Sequence, residues 1–178
     1  MPYEPRRYDG GEHFPYVDLK LAPLRSAEIP EIRESDGLRE LVVSLADRNN
    51  IFQSVGCDYV SRHEGTITAW VQVLFDCVDL NTRQNWADLR DCFARGVSRA
   101  CDDSIADAVI TFERKQACLR RHNGEIVWSC RTYVDAKEPD ANGKCDAGLL
   151  TLRDFFSAVS KHEKTKDCER FVSEWRGH

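Results

Sequence analysis

The sequence predicts an α+β fold in which an antiparallel sheet of two hairpins carries helices on one face. Three observations support it. The stretch Gly65 to Asn81 alternates with a period of two, which is typical of a long strand. The pair Asn123-Gly124 separates two further strand-like segments and suits a tight hairpin turn. Segments with helical spacing precede, separate and follow these hairpins, so the expected element order is (β)αββαββαα.

The composition is that of a single soluble domain. The chain has 178 residues, of which 42% are hydrophobic and 31% charged. A net charge of −5 argues against nucleic acid as a partner of the whole surface. Residues 1–34 hold five of the six prolines and form a predicted N-terminal arm, within which 14–21 suits a short edge strand. Residues 35–178 form the predicted domain.

The first helix and strand follow the arm. Asp36 to Asn49 is a predicted helix, capped by Ser35 or Asp36, with an apolar stripe on one side. Ile51 to Arg62 is the next strand. Simple alternation along this strand gives two sets of residues: Val55, Cys57 and Tyr59 on one face; Phe52, Gly56, Asp58 and Val60 on the other.

The stretch Gly65 to Asn81 is the predicted central strand of the sheet. One of its faces is wholly apolar, and the other is mixed. The apolar face consists of Ile67, Ala69, Val71, Val73, Phe75 and Cys77, and the mixed face of Thr68, Trp70, Gln72, Leu74, Asp76 and Val78.

The second half of the chain repeats the order of helix and hairpin. A helix is predicted over Arg83 to Cys101, followed by strands over 106–121 and 125–136. A two-residue turn at Asn123-Gly124 places Gln116 opposite Arg131 and Arg114 opposite Tyr133, both pairs facing solvent. A polar loop over 137–147, a helix over 148–162 and a last helical piece over 167–176 complete the expected order.

The cysteines indicate a reducing compartment. Eight are scattered singly with no CxxC pair, and the N-terminus lacks the apolar core of a signal peptide. No window approaches the roughly 20 apolar residues of a membrane span. We therefore expect a cytoplasmic protein with buried thiols, no metal site and no cofactor.

Local catalytic signatures are absent from the sequence. It contains no GxSxG, P-loop, GxGxxG or HExxH, and its five histidines fall in predicted loops or near element ends. An enzyme or small-molecule-binding domain stays open as an alternative, with Asp58 as an acid in a pocket between sheet and helices. The structural alternative for Asp58 is a β-bulge that turns its side chain outward, or pairing with Arg62.

The mixed face of the central strand is the predicted partner-binding surface. It needs a cover, which the N-terminal arm, a second subunit or a partner protein would supply. The residues assigned to this surface are Tyr59, Trp70, Gln72, Leu74 and Asp76.

The second hairpin offers another candidate surface because it is locally basic. Arginines on a strand face beside a tyrosine suit a phosphate or an RNA strand. The alternative is a solvated face whose long charged side chains discourage edge pairing. The candidate anion-binding residues are Arg114, Arg120, Arg131 and Tyr133.

The element order over residues 36–162 and the acidity of the chain resemble those of small bacterial chaperones of the type III secretion class. The resemblance includes no diagnostic motif, and no functional residue follows from it. It implies a homodimer that binds unfolded or extended segments of other proteins. The leading hypothesis is a non-enzymatic, partner-binding protein, either chaperone-like or an adaptor, that acts as a homodimer and uses the mixed face near Trp70 as its contact surface.

Overall fold

A four-stranded antiparallel sheet forms the centre of the protein. The computed structural model describes residues 19–62, 65–100, 108–119 and 125–163. The predicted edge strand over 14–21 falls largely outside these ranges, and the predicted last helix over 167–176 entirely so. The strand order is β1-β2-β4-β3, which confirms the predicted α+β class and the central position of β2. The strands are β1 Phe52–Arg62, β2 Thr66–Phe75, β3 Ala108–Leu119 and β4 Glu125–Lys137.

Within the described residues, three α-helices pack on one face of this sheet: α1 Asp36–Ala46, α2 Arg83–Ala100 and α3 Ala141–Glu163. An aromatic cluster joins helices to sheet. The ring of Phe52 lies 4.7 Å from that of Phe75 and 4.9 Å from that of Phe156. The indole of Trp86 completes the cluster at 4.5 Å from Phe75. These side chains are almost fully buried, and each contributes about 2–3 kcal/mol through burial alone.

Helix α1 begins as predicted. The Ser35 hydroxyl accepts a hydrogen bond from the Leu38 N–H at 3.0 Å, which satisfies one of the donors left free at a helix start. The same hydroxyl donates to the Asp146 carboxylate on α3 at 2.5 Å, so the cap also joins two helices. The predicted apolar stripe is buried in the core; its members are Leu38, Leu41, Val42 and Leu45.

The second half of the predicted arm packs on the domain. Two short 3₁₀ helices, Pro23–Glu28 and Glu31–Arg33, lead into α1. Leu19 and Ile32 are buried in the main core. The Lys20 ammonium donates to the backbone carbonyl of Asp47 at 2.7 Å and forms an ion pair with Asp76 at 3.1 Å. Residues 19–34 therefore belong to the packed body.

Helix α3 begins at Ala141, so the predicted loop over 137–147 is largely wrong. The Asp140 carboxylate accepts a hydrogen bond from the Gly143 N–H at 3.2 Å and starts the helix. The polar residues over 137–147 indicated a loop, and the helix was expected to begin at Gly148, a position that serves close packing. A Cβ there would lie 2.6 Å from the Val134 Cγ1 of β4, so only glycine lets α3 approach the sheet this closely.

The register of the second hairpin differs from the prediction by three residues. Gln116 lies opposite Trp128, where Arg131 was expected, and 131 − 128 = 3. The last described pair is Leu119 with Glu125, which leaves five residues, 120–124, between the strands. An odd shift exchanges the two faces of a strand. Arg114 therefore lies opposite the buried Cys130 on the helix-covered face and not opposite Tyr133.

A β-bulge in β1 makes the predicted division of this strand's side chains between the two faces wrong. The pairing with β2 shifts between Ser54 and Gly56, so Val55 is the extra residue. Phe52 before the bulge and Tyr59 after it consequently pack on the same side, although simple alternation separates them. The bulge also turns Asp58 away from Phe52, which is the structural alternative that the sequence left open.

Candidate functional site: the helix-free face of the sheet

The face of the sheet opposite the helices carries the candidate site. Because the register is known, its side chains can be arranged in rows that run from β1 through β2 and β4 to β3. We call this surface the helix-free face. Its three central rows are Val60–Thr68–Asp135–Val109, Asp58–Trp70–Tyr133–Thr111 and Gly56–Gln72–Arg131–Glu113.

Trp70 and Arg131 stack at the centre of this face. The Arg131 guanidinium lies 4.1 Å from the centroid of the indole. A Cβ on Gly56 would lie 3.4 Å from the same ring, so the indole also contacts the backbone of β1. A cation over tryptophan contributes about 0.5–2 kcal/mol, with the larger values where the pair is desolvated. The stack therefore restrains both side chains at the centre of the face.

A hydrogen-bond network extends from this stack into the sheet. Arg131 Nη2 donates to Gln72 Oε1 at 2.8 Å, and Gln72 Nε2 donates to Ser129 Oγ at 2.8 Å. Ser129 Oγ in turn donates to the Lys115 carbonyl at 3.1 Å. Gln72 and Ser129 are buried, with 3% and 0% of their surface exposed. Within the described part of the chain, Arg131 Nε is the buried side-chain polar atom that has no partner.

A second group of polar contacts lies beside the stack. The Tyr133 hydroxyl donates to Glu113 at 2.8 Å, and Lys115 forms an ion pair with the same carboxylate at 2.5 Å. The hydrogen bond from Lys115, followed by that from Tyr133, lowers the pKa of Glu113 below its ordinary value. In the next row the Thr68 hydroxyl donates to Asp135 at 2.6 Å. Most polar groups of the face are thus paired within it.

Beyond the Gly56–Gln72–Arg131–Glu113 row, other side chains of the protein cover the end of the face. Leu74 is fully buried and packs with Val55 and Val127 in a small second core. Val78, in a 3₁₀ turn over Val78–Leu80, covers this cluster. Leu74 therefore contributes to stability and is not presented to a partner.

The other residues assigned to partner binding do not all join Trp70. Gln72 lies beside it in the network, but Tyr59 lies on the helix-covered face because of the bulge. The Tyr59 hydroxyl donates to Asn142 on α3 at 2.8 Å. Burial, followed by the nearby Cys145, Asp146 and Glu34, raises the pKa of Tyr59 to about 12. Asp76 follows the end of β2 and is paired with Lys20.

The candidate anion-binding residues are also divided. Arg131 and Tyr133 lie on the helix-free face, Arg114 lies on the other face, and Arg120 lies outside the described residues. Asp58 is half-buried beside Trp70 and accepts a hydrogen bond from the Tyr59 N–H at 2.8 Å. The register places Arg114 and Arg131 on opposite faces of the sheet, so these two arginines do not share one surface.

The thiols in the core are poor nucleophiles. Burial raises the pKa of Cys57, Cys130 and Cys145 to about 12, so each stays in the thiol form at neutral pH. The five histidine side chains lie outside the part that the structure describes. In the described ranges, no group of three or more His, Cys, Asp or Glu side chains is arranged to hold a metal ion.

Sequence reasoning found Trp70 and Gln72 but missed Gly56, Glu113 and Ser129 as members of the same surface. A two-residue period marks which residues of one strand share a face, whereas the neighbours across strands depend on the bulge and on the hairpin register. Every helix in the described ranges is too short or too polar to span a lipid bilayer. Comparisons with protein-family models, with curated proteins and with solved structures find no match for this chain.

Proposed function

We propose that this is a non-enzymatic protein-binding protein of the chaperone-like or adaptor kind, which presents its helix-free face to a protein partner. One observation carries the proposal. Trp70, Arg131 and Tyr133 meet on the two central strands, at the middle of a face that no described α-helix covers. Tryptophan, tyrosine and arginine are the residue types that dominate the binding energy of protein interfaces.

The internal pairing of the face supports binding without large rearrangement. Side chains that are already held by neighbours lose less conformational entropy when a partner covers them. Arg131 is held by Gln72 and the indole, and Tyr133 by Glu113. The face therefore combines a pre-ordered centre with a more exposed rim.

The rim favours a protein over a polyanion. Val60 and Val109 stand at the two edges of one row and are 38% and 65% exposed. With the two adjoining rows included, the face carries three carboxylates and four cations, so it has no large excess of positive charge. The carboxylates are those of Asp58, Glu113 and Asp135, and the cations those of Arg62, Lys115, Arg131 and Lys137. Nucleic-acid surfaces need an excess of positive charge, because phosphate contacts supply most of their affinity. Apolar edges around an aromatic centre suit a protein surface.

Site-specific photo-crosslinking in cells tests this proposal. A photoreactive amino acid replaces Thr111, which is exposed in the same row as Trp70, or Val43, which is exposed on α1 at the opposite side. We expect the Thr111 position to capture a defined protein that the Val43 position does not. The captured protein, once purified, should bind the wild-type chain at least about tenfold more tightly than the folded Trp70→Ala variant.

Two results would contradict the proposal. One is equal crosslinking from both positions, which indicates random collision. The other is a captured protein whose purified form binds the Trp70→Ala variant as tightly as wild type while the variant keeps the wild-type circular dichroism spectrum.

A further inference from the structure

We propose that the partner of the helix-free face is a second copy of this chain, packed face to face about a two-fold axis that runs along the seam between β2 and β4. The inference rests on the proposed function, since it names the protein that covers the same surface. It follows from the symmetry of the strand order and from the chemistry of the rows.

The strand order makes the sheet suitable for such an axis. The two hairpins meet at the β2–β4 pair, with β1 and β3 at equivalent outer positions. Rotation by 180° about an axis parallel to the strands and midway between β2 and β4 places the second copy over the first. Each row then faces the same row of the second copy, with its strand order reversed. Residues of β1 then face residues of β3 from the second copy, and residues of β2 face residues of β4.

Apolar and aromatic side chains coincide under this operation. Val60 of one copy faces Val109 of the other. The two-fold axis generates this contact between exposed valines twice in the dimer. One row further, Trp70 faces Tyr133. Packing of sheets with closely aligned strands is a common arrangement and needs such complementary side chains on the two inner faces.

The charged side chains are also compatible with this axis. Asp58 faces Thr111, Asp135 faces Thr68, and Arg131 faces Gln72, so each charge meets a neutral polar group. Glu113 faces Gly56 and the Trp70 ring that lies against it, while its carboxylate stays paired with Lys115 and the Tyr133 hydroxyl. Within these three rows no two like charges are placed opposite each other, and such a placement would destabilise an interface.

The competing two-fold axis, perpendicular to the strands and through the Trp70 row, is chemically poorer. It would pair Arg131 with Asp135, but the two exposed valines would no longer meet each other. It would also place Asp58 opposite Asp58 of the second copy and Val109 opposite Glu113. The Asp58 pair repels, and the Val109–Glu113 pair buries a carboxylate against an apolar side chain. The seam axis is therefore the one that the side chains favour.

The size of the face sets the expected affinity. Four strands about 4.8 Å apart and about eight residues long cover roughly 500 Å² in each copy, hence about 1,000 Å² in total. Specific interfaces begin near this size, so we expect a dimer that dissociates in the micromolar range or above. Self-association should accordingly be visible only when concentration is varied.

Sedimentation equilibrium over a concentration series tests the dimer with a charge-complementation design. Val60→Asp and Val109→Lys each place a charge against a valine, and each should weaken self-association at least about tenfold. In a mixture of the two variants, one contact joins the new carboxylate to the new ammonium, and the other stays valine to valine. We expect the mixture to associate to within about threefold of wild type.

Val43→Asp is the matched control, because Val43 is 49% exposed but lies on α1, outside the proposed contact. It should leave self-association unchanged. Both interface valines are also exposed, so the variants should fold, and thermal unfolding by circular dichroism checks that they do.

Three results would overturn the proposal: a wild-type chain that is monomeric up to about 1 mM, self-association that neither valine variant weakens, or variants whose mixture stays as weak as either alone. These outcomes are distinct from failure of the proposed function. A monomer whose Thr111 position still captures a different protein refutes the homodimer and keeps the protein-binding role.

Discussion

The two faces of the sheet are built from the same four strands, but they are stabilised in different ways. The helix-covered face buries an aromatic cluster of Phe52, Phe75, Trp86 and Phe156. The helix-free face holds a cation–π stack and a chain of hydrogen bonds centred on Arg131. Apolar burial is non-directional and scales with area, whereas the stack and its hydrogen bonds require particular partners. The first face therefore carries stability, and the second carries a defined surface pattern.

Two aromatic residues on neighbouring strands illustrate this difference. Phe52 is completely buried among three other aromatic rings. Trp70 is only partly buried and is covered by one arginine side chain. Removal of Phe52 leaves a cavity under the helices, but removal of Trp70 leaves a hollow that water can fill. The following predictions test whether this division of roles is correct, in order of decreasing expected effect.

The largest effect is expected from Phe52→Ala. The change removes a ring from the centre of the aromatic cluster and should lower the free energy of unfolding by about 3–5 kcal/mol. Urea denaturation followed by circular dichroism measures it. Trp70→Ala on the other face should cost only about 1–2 kcal/mol. Equal losses for the two variants would show that the helix-free face is as important to stability as the covered face.

Gly148→Ala should destabilise the protein by about 1–3 kcal/mol, because the new Cβ would overlap Val134 and push α3 from the sheet. Gly96→Ala is the matched control within α2, where a Cβ would meet no atom within 4 Å. It should raise the free energy of unfolding by up to about 1 kcal/mol through helix propensity. If both glycines respond alike, close approach of α3 is not the reason for Gly148.

A double-mutant cycle of Trp70→Ala and Arg131→Ala should give a coupling energy of about 0.5–2 kcal/mol. The reason is that the guanidinium and the indole stabilise each other only when both are present. The cycle uses the free energies of unfolding of wild type, both single variants and the double variant. Strict additivity would mean that the two side chains are neighbours without a stack.

The smallest effect is expected from Tyr133→Phe. The tyrosine hydroxyl is the second cause, after Lys115, that lowers the pKa of Glu113. Its loss should raise the pKa of Glu113 toward its ordinary value, as measured by NMR titration. A carboxyl group whose pKa is lowered in the folded state stabilises the fold at pH values above its ordinary, unfolded-state pKa. This contribution disappears as the pH falls through the folded-state pKa. The variant should therefore lose less stability than wild type in that acidic window.

A large part of the fold follows from local patterns in the sequence. The capping serine and the stripe of Leu38, Leu41 and Leu45 predict α1. Helix α2 over Arg83–Ala100 and strand β1 also match their predicted bounds within one residue. Strand β2 begins one residue after its predicted start but ends at Phe75, six residues before Asn81, because a 3₁₀ turn follows it. These elements were predictable because neighbouring residues determine them, through periodicity, caps and turn formers.

The start of α3 was not predictable in the same way. Residues 137–147 are mostly polar and include Gly143, whose helix propensity is poor, so this segment suggested a loop and the helix was expected to begin at Gly148. The close contact between Gly148 and Val134 of β4 exists only after the helix has packed on the sheet. Tertiary packing therefore overrides local propensity at this point.

The sequence by itself determined the α+β class, the central position of β2 and the alternation of its two faces. Only the tertiary structure decided which residues of neighbouring strands share a face. One extra residue at Val55 moved Tyr59 beneath the helices, and a three-residue shift in the second hairpin separated Arg114 from Arg131. The physical reason is that a strand has a period of two, so a single added residue or an odd shift reverses every side chain beyond it. Local sequence encodes each strand, whereas the surface near Trp70 depends on how the strands are aligned.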